Sequence, residues 1–349
     1  MGAHTFVGGV QRACGHPEDP PPDGRAGSTL TVTILGHPLV PILPGGSSDG
    51  AADPVALTTR GGRTLRFTNG AHRASTLFGG ARALILAVAL LGLAGLVAAP
   101  AASAATPTKV VIVVGPTGTG TAHNISEAKQ LAAQARGYGA TVIEIYSPNA
   151  SFYRVRSAAM GANVFIYMGH GSGWPSPYSP FNAARKDGLG LNATAGHGNL
   201  NVRYYGETYL KKYIHLAANS VVILRGLCYS AGNSEPGKTN PSAAVGRARV
   251  DNYAAGFLRT GARVVFAEPY GGVGYILDAI FTTNLTVRQI FTNGAGAGHW
   301  GHSSAGTMTA TAFKSKRTTW ATAISDRDSS GHFRRSVVGN LALTASAIR

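Results

Sequence analysis

An imidazole and a thiol, two groups that do nucleophilic chemistry together, stand at matching places in this chain. His170 lies in Met168-Gly169-His170-Gly171-Ser172-Gly173-Trp174, directly after an apolar run, and its flanking glycines let a ligand's backbone come close. Cys228 lies in Leu224-Arg225-Gly226-Leu227-Cys228-Tyr229-Ser230, directly after another such run. A thiolate attacks a carbonyl carbon, and an imidazole within reach pairs with that thiolate and later protonates the leaving group. The amide N–H groups of Gly171 and Cys228 would face the developing oxyanion. Taken singly, each residue has a plain structural counterpart, a loop histidine that only packs and a small buried thiol. Position joins them, because residues just past the carboxyl ends of neighbouring parallel strands approach one another.

Other groups compete for a chemical role. Gly115-Pro-Thr-Gly-Thr-Gly-Thr121 has the glycines of a phosphate-cradling loop, but Thr121 stands where such a loop needs lysine, so a glycine-rich turn is the favoured reading. His197, in Gly196-His197-Gly198, follows no apolar strand. Tyr229-Ser230-Ala231-Gly232 imitates a serine nucleophile elbow, yet the glycine required two residues before the serine is Cys228. His299 and His302, with His123 or His197, have no carboxylate or cysteine at ligand spacing, so no metal site is expected. Glu235 and Glu268 follow the fourth and fifth strands, where a carboxylate either orients His170, meets a basic substrate side chain, or serves as an ordinary loop acid. Trp174, with Tyr178 and Phe181 in a proline-punctuated loop, would wall a substrate cleft or simply pack as a lid. Asp251 and Asn252 belong to a helix and are expected to cap or to pair at its surface.

The elements that must position these residues alternate in kind. Apolar β-rich runs at 109–114, 141–146, 163–168, 220–224 and 262–267 predict strands. Between them, helical periods occupy 125–138, about 150–160, 206–217, 241–260 and 276–292. This alternation predicts an α/β fold, a three-layer α/β/α sandwich around a mostly parallel, about six-stranded sheet. Residues 307–349, rich in Thr, Ser and Arg, show little period and are expected to dock on the domain or trail from it.

His-Gly after one apolar strand and Cys after the next resembles the caspase-like cysteine peptidases, the group that includes caspases, gingipains, clostripain and legumain. The resemblance covers about 105–295. It implies a six-stranded, mostly parallel sheet with a His/Cys dyad on adjacent strand ends, His170 as base and acid, Cys228 as nucleophile and Gly171 as oxyanion donor. It implies no metal or organic cofactor for the chemistry; a calcium ion, as some relatives bind, would fall to Asp187 or Glu235. The chain departs from the group at Leu227, where a small residue is commoner, and lacks the caspase Gln-Ala-Cys-X-Gly pentapeptide.

Composition supplies the setting. In 349 residues, Lys and Arg number 31 against 15 Asp and Glu, a formal charge of +16, and charged residues make up only 13%. That length excludes a disulfide-stapled miniprotein, and the charge suits an anionic partner, such as an envelope surface, as well as it suits simple solubility. No basic helix, aromatic sheet motif or zinc pattern points to nucleic acid. Residues 1–82 carry Gly, Pro and Ser clusters and no packable core, as in a disordered or mis-started extension. The uncharged run Ala83–Ala99, preceded by Arg82 and followed by Ala102-Ser103-Ala104, has the order of a secretory signal at 83–104, with a single-pass membrane anchor as the alternative. A caspase-like domain at 105–306 would then be secreted or held at the cell surface, with 307–349 as its extension. Of the two cysteines, Cys14 lies upstream of the cleavage site and Cys228 within the domain. The expectation is a cysteine peptidase acting on proteins or peptides; the alternative is a catalytically inactive caspase-like domain serving as a basic envelope-binding module.

Overall fold

A run such as Lys109-Val-Val-Ile-Val-Val114 has no polar break, so it settles in the middle of a sheet with helices on both faces. The computed structural model, which describes residues 107–294 and 308–349, puts it there. In chain order the strands are β1 (Lys109–Val114), β2 (Thr141–Tyr146), β3 (Val164–Met168), β4 (Leu189–Asn192), β5 (Val202–Tyr205), β6 (Val221–Arg225), β7 (Val264–Glu268), β8 (Thr309–Lys314), β9 (Thr322–Arg327) and β10 (Phe333–Gly339). The helices are α1 (Thr121–Gly137), α2 (Phe152–Ala159), α3 (Glu207–Tyr213), α4 (Ala243–Leu258), α5 (Gly274–Thr282), α6 (Val287–Gly294) and α7 (Ala345–Ile348). Eight strands form one sheet in the order β2-β1-β3-β6-β7-β10-β9-β8, and β4 pairs with β5 in a small separate sheet. Strands β2, β1, β3, β6 and β7 run parallel. Strands β10, β9 and β8 add on antiparallel.

Alternate residues of the parallel strands feed two cores, as a pleat requires. On one face Val111, Tyr167, Leu224 and Ala267 pack with Val155, Leu210 and Phe257 of α2, α3 and α4. On the other, Ile112, Ile166, Ile223 and Phe266 pack with Leu131, Ile276 and Ile290 of α1, α5 and α6. The result is the expected three-layer α/β/α sandwich. Two details differ from expectation. The helical period at 276–292 is broken into α5 and α6, because Thr286 and Gln289 form a reciprocal cap: each takes the other's backbone N–H, at 2.9 and 3.3 Å. The sheet has eight strands rather than about six, because residues 309–339 join it instead of lying outside it.

In β9 and β10 the apolar signature is interrupted, because Asp326 and Arg335 are buried among Ala323, Ile324, Phe333, Val337 and Val338. Arg225 sits beside Glu268 in the β6–β7 register, and Arg335 beside Asp326 in the β10–β9 register. The pairing of Ser336 with Ala267 brings Glu268 and Arg335 side by side. All four share parity with Ile223, Phe266, Val337 and Ile324, so they project to the α1/α5/α6 face. Glu127 of α1 closes the row on Arg225 at 2.8 Å, and Arg335 holds Asp326 at 2.7 Å. The signs alternate along the row from Glu127 to Asp326, and the four strand residues are buried. Tyr275 donates to Glu268 at 2.5 Å, and Phe291 lies under the Arg335 guanidinium at 4.1 Å. Three carboxylates share two guanidinium groups, and the deepest, Glu268, is pushed up to about 7 by burial and by Asp326, against the pull of Arg335, Tyr275 and Arg225.

Two expectations follow. Arg335→Leu leaves buried carboxylates without their cation and lowers the unfolding free energy by roughly 3–5 kcal/mol, read from urea denaturation. Because the folded Glu268 keeps its proton where the unfolded carboxyl has lost it, its contribution to stability is full below about pH 4.5 and declines as pH rises to about 7. A thermal melting series should therefore show a smaller decline across that window in Glu268→Gln than in the parent; equal declines would contradict the assignment.

Candidate active site

Because β3 and β6 are adjacent and in register, with Met168 beside Arg225, the segments carrying His170 and Cys228 leave the sheet side by side. Both residues are buried. The loops meet main chain to main chain: a β-carbon at Gly171 would overlap the Cys228 carbonyl oxygen and lie 2.9 Å from its amide nitrogen. Only glycine permits that approach. One residue past the cysteine, Tyr229 adopts a left-handed backbone with φ of 69°, a conformation that costs energy outside glycine and turns the chain sharply away from the strand.

Each loop is pinned by groups whose part the sequence does not announce. The Tyr167 hydroxyl, fully buried beneath the first loop, takes the Gly190 N–H at 2.9 Å and directs its proton to the carbonyls of Gly190 at 2.8 Å and His170 at 3.2 Å. On the second loop, Ser230 and Asn233 both donate to the Leu227 carbonyl, at 3.1 and 3.3 Å. Ser230 is thereby committed to the turn, in keeping with its reading as no nucleophile. Arg249 of α4 ties the loops together, donating to Pro175 O at 2.7 Å and Asn233 O at 3.0 Å while its guanidinium lies 4.7 Å over the Tyr229 ring.

The three candidate cleft residues are placed differently. Trp174 is half-buried, and its main chain is held from two sides: its N–H donates to Asp187 Oδ1 at 3.0 Å, and its carbonyl accepts from Asn252 at 2.9 Å. Glu235 is buried between two tyrosines, accepting from Tyr178 at 2.7 Å and Tyr229 at 2.9 Å, so it clasps the Trp174–Phe181 loop to the turn after Cys228. Glu268 belongs to the charged row on the α1/α5/α6 face, while Tyr167, Leu227, Cys228 and Tyr229 belong to the core of the other face. Asp187 is fully buried with φ of 60°, and its Oδ2 has no hydrogen-bond partner. Burial pushes its carboxyl up to about 8; nearby Glu207 adds to that, against the Trp174 N–H and the charges of Arg317 and Lys186.

Cys228 is disulfide-bonded in this structure, and the described residues contain no free cysteine. The remaining alternatives are also located. His197 is exposed between β4 and β5, and His123 is exposed on α1. The Gly115–Thr121 turn is filled by protein, Gly118 N–H donating to Asn199 O at 2.9 Å and Thr117 N–H to Thr121 Oγ1 at 2.8 Å. His299 and His302, residues 1–82 and the expected leader at 83–104 lie outside the described residues. Among the described residues, no three His, Cys, Asp or Glu side chains gather as metal ligands, and no helix is long and apolar enough to cross a membrane.

No family model matches the chain, and no curated protein matches it. Among solved structures it is similar to a short-chain flavodoxin associated with a non-canonical PDU bacterial microcompartment, at 12% identity over 45% of this chain and 78% of that one, with a TM-score of 0.23. So slight a likeness has no bearing on function.

The close approach at Gly171 is directly testable. Gly171→Ala should lower stability by ~1–3 kcal/mol through overpacking against Cys228. Gly137→Ala, at the end of α1 where a β-carbon meets nothing within 4 Å, should be neutral or slightly stabilising. Chemical denaturation midpoints compare the two.

Proposed function

We propose that the chain is a secreted or cell-surface cysteine peptidase of caspase-like type, with His170 and Cys228 as its dyad. The observation that carries the reading is the main-chain contact between Gly171 and Cys228 at the ends of adjacent parallel strands. In the proposed reaction the Cys228 thiolate attacks the scissile carbonyl carbon, forming a C–S bond and a tetrahedral oxyanion that the Gly171 and Cys228 N–H groups stabilise. His170 gives a proton to the leaving amine as the C–N bond breaks, leaving a thioester. Water then attacks the thioester, His170 taking its proton, and the C–S bond breaks to release the carboxylate product and restore the thiol. Asp187 and Tyr167 would act by position, holding the Trp174 and His170 main chain. Protein or peptide segments are the substrate class, and no metal is needed.

Export is part of the proposal. Cleavage after Ala104 during translocation would leave Cys228 as the one cysteine of the exported chain, with no partner in its own sequence. The test uses the full chain carrying Cys14→Ser, in which every thiol signal belongs to Cys228. Iodoacetamide labelling followed against pH should persist well below the ordinary thiol pKa of ~8.5 and shift back toward it in His170→Ala. A profile indifferent to His170, or a thiol unreactive throughout, overturns the dyad.

A further inference from the structure

Positive charge on this molecule is not interspersed with negative charge in the usual way of soluble surfaces. Among the described residues Asp278 is the one exposed carboxylate; Asp187, Glu207, Glu235, Asp251, Glu268, Asp326 and Asp328 are buried. On the face formed by α2, β5 and α3, exposed bases gather without any acid among them: Arg154, Arg203, Lys211 and Lys212. Glu207, the one carboxylate in these elements, is buried and engaged by Arg259 at 3.0 Å and Arg317 at 2.7 Å, both from elsewhere in the chain.

Two of these cations, Arg203 and Lys212, lie against aromatic rings, as does the half-buried Arg156 of α2. Phe152 stacks on Tyr205 at 4.4 Å, and Tyr209 and Tyr213 meet it edge-on at 5.6 and 5.9 Å, an i, i+4 series that locks α2 to α3. Arg156 lies over the rings of Tyr153 and Tyr213 at 5.0 and 5.7 Å, Arg203 over Tyr205 at 5.2 Å, and Lys212 over Tyr213 at 5.0 Å. A ring holds a cation in place without neutralising it. A stacked guanidinium uses its flat face and keeps its N–H donors at the edge for anionic oxygens. The heads are thus partly ordered beforehand, which lowers the entropy lost on binding.

We propose that the α2–β5–α3 face binds a linear, non-aromatic polyanion bearing phosphate groups. Two features select among polyanions. A cation already lies over one face of the Tyr153, Tyr205 and Tyr213 rings, which leaves less ring surface for the base stacking on which single-stranded nucleic acid binding depends. Of the large apolar side chains exposed on the molecule, only Tyr153 and Met160 belong to α2 and its C-terminal cap and none to β5 or α3, too little to enter a bilayer interface. The face is separate from the thiol chemistry, so the two proposals stand or fall independently.

The test measures binding of the full chain to long-chain inorganic polyphosphate over a salt series. The triple variant Arg203→Gln, Lys211→Gln, Lys212→Gln is compared with Lys129→Gln, Lys238→Gln, Arg288→Gln, which removes the same charge from exposed positions elsewhere. The first should lose on the order of tenfold or more in affinity, with the slope of log K against log salt reduced by about two; the second should stay within about threefold of the parent. Equal losses would mean that net charge alone attracts the polymer, and the proposal fails. It fails as well if a single-stranded oligonucleotide or phosphatidylglycerol vesicles bind more tightly than polyphosphate with the same dependence on Arg203, Lys211 and Lys212.

Discussion

The alternating row Glu127–Arg225–Glu268–Arg335–Asp326 is the constraint on which the rest of this structure depends. It crosses four adjacent strands at their β6 and β7 carboxyl ends, where the parallel half of the sheet meets the antiparallel half. Apolar side chains there would hold the same strands together as well or better, since buried ion pairs return little net stability. What the row adds is register. A slip of one residue in β10 would turn Arg335 to the other face, leaving Asp326 without its cation and Glu268 with Arg225 alone, so one alignment is strongly preferred over its neighbours.

That alignment reaches the candidate site through the main chain. Gly226 N–H donates to the Glu268 carbonyl at 3.0 Å, so the turn that leads from Arg225 to Cys228 starts from a strand end held on both sides by the charged row. On the opposite face, Tyr167 fixes the His170 carbonyl, Arg249 and Asn252 hold the loops from the side of α4, and Glu235 clasps one loop to the other. The two loops are thereby braced from different cores, and the glycine at 171 lets them touch. Positioning of this kind needs rigid neighbours more than it needs many contacts at the reacting atoms.

How much of this could be read from the residues follows from how each one earns its place. The central strands announce themselves, because Val-Ile runs buried on both faces have no other use. His170 and Cys228 were legible for the same reason: each follows such a run, and adjacency follows from strand order. Strands β9 and β10 were not legible, since Asp326 and Arg335 stand among their inward positions and break the short apolar pattern of Ala323, Ile324, Val337 and Val338. The roles of Tyr167, Asp187 and Arg249 were out of reach as well. Tyr167 matters through Gly190, and Arg249 through Pro175 and Asn233, and nothing local in the chain marks those meetings. Glu268 was assigned to the cleft from its strand end alone; the pleat decides its face, and its parity with Phe266 turns it to the other core.

The interior also accounts for the character of the surface. A chain with 31 basic and 15 acidic residues has few carboxylates to distribute, and this fold draws most of the described ones inward. Asp251 takes Ser315 and the main-chain N–H groups of Lys316 and Arg317, Asp328 takes Arg334 and His332, and Glu207 takes two arginines. Each is held because a buried turn or cation requires it, so none can move outward without leaving a donor unsatisfied. Few acids then remain for the exposed bases, Arg136 with Glu144 being one such pair, and for Arg203 and Lys212 tyrosine rings are the neighbours. A surface of that composition repels its own copies and attracts anions over a Debye length. The cationic exterior and the acid-lined interior are therefore one arrangement, set by where the fold needs negative charge.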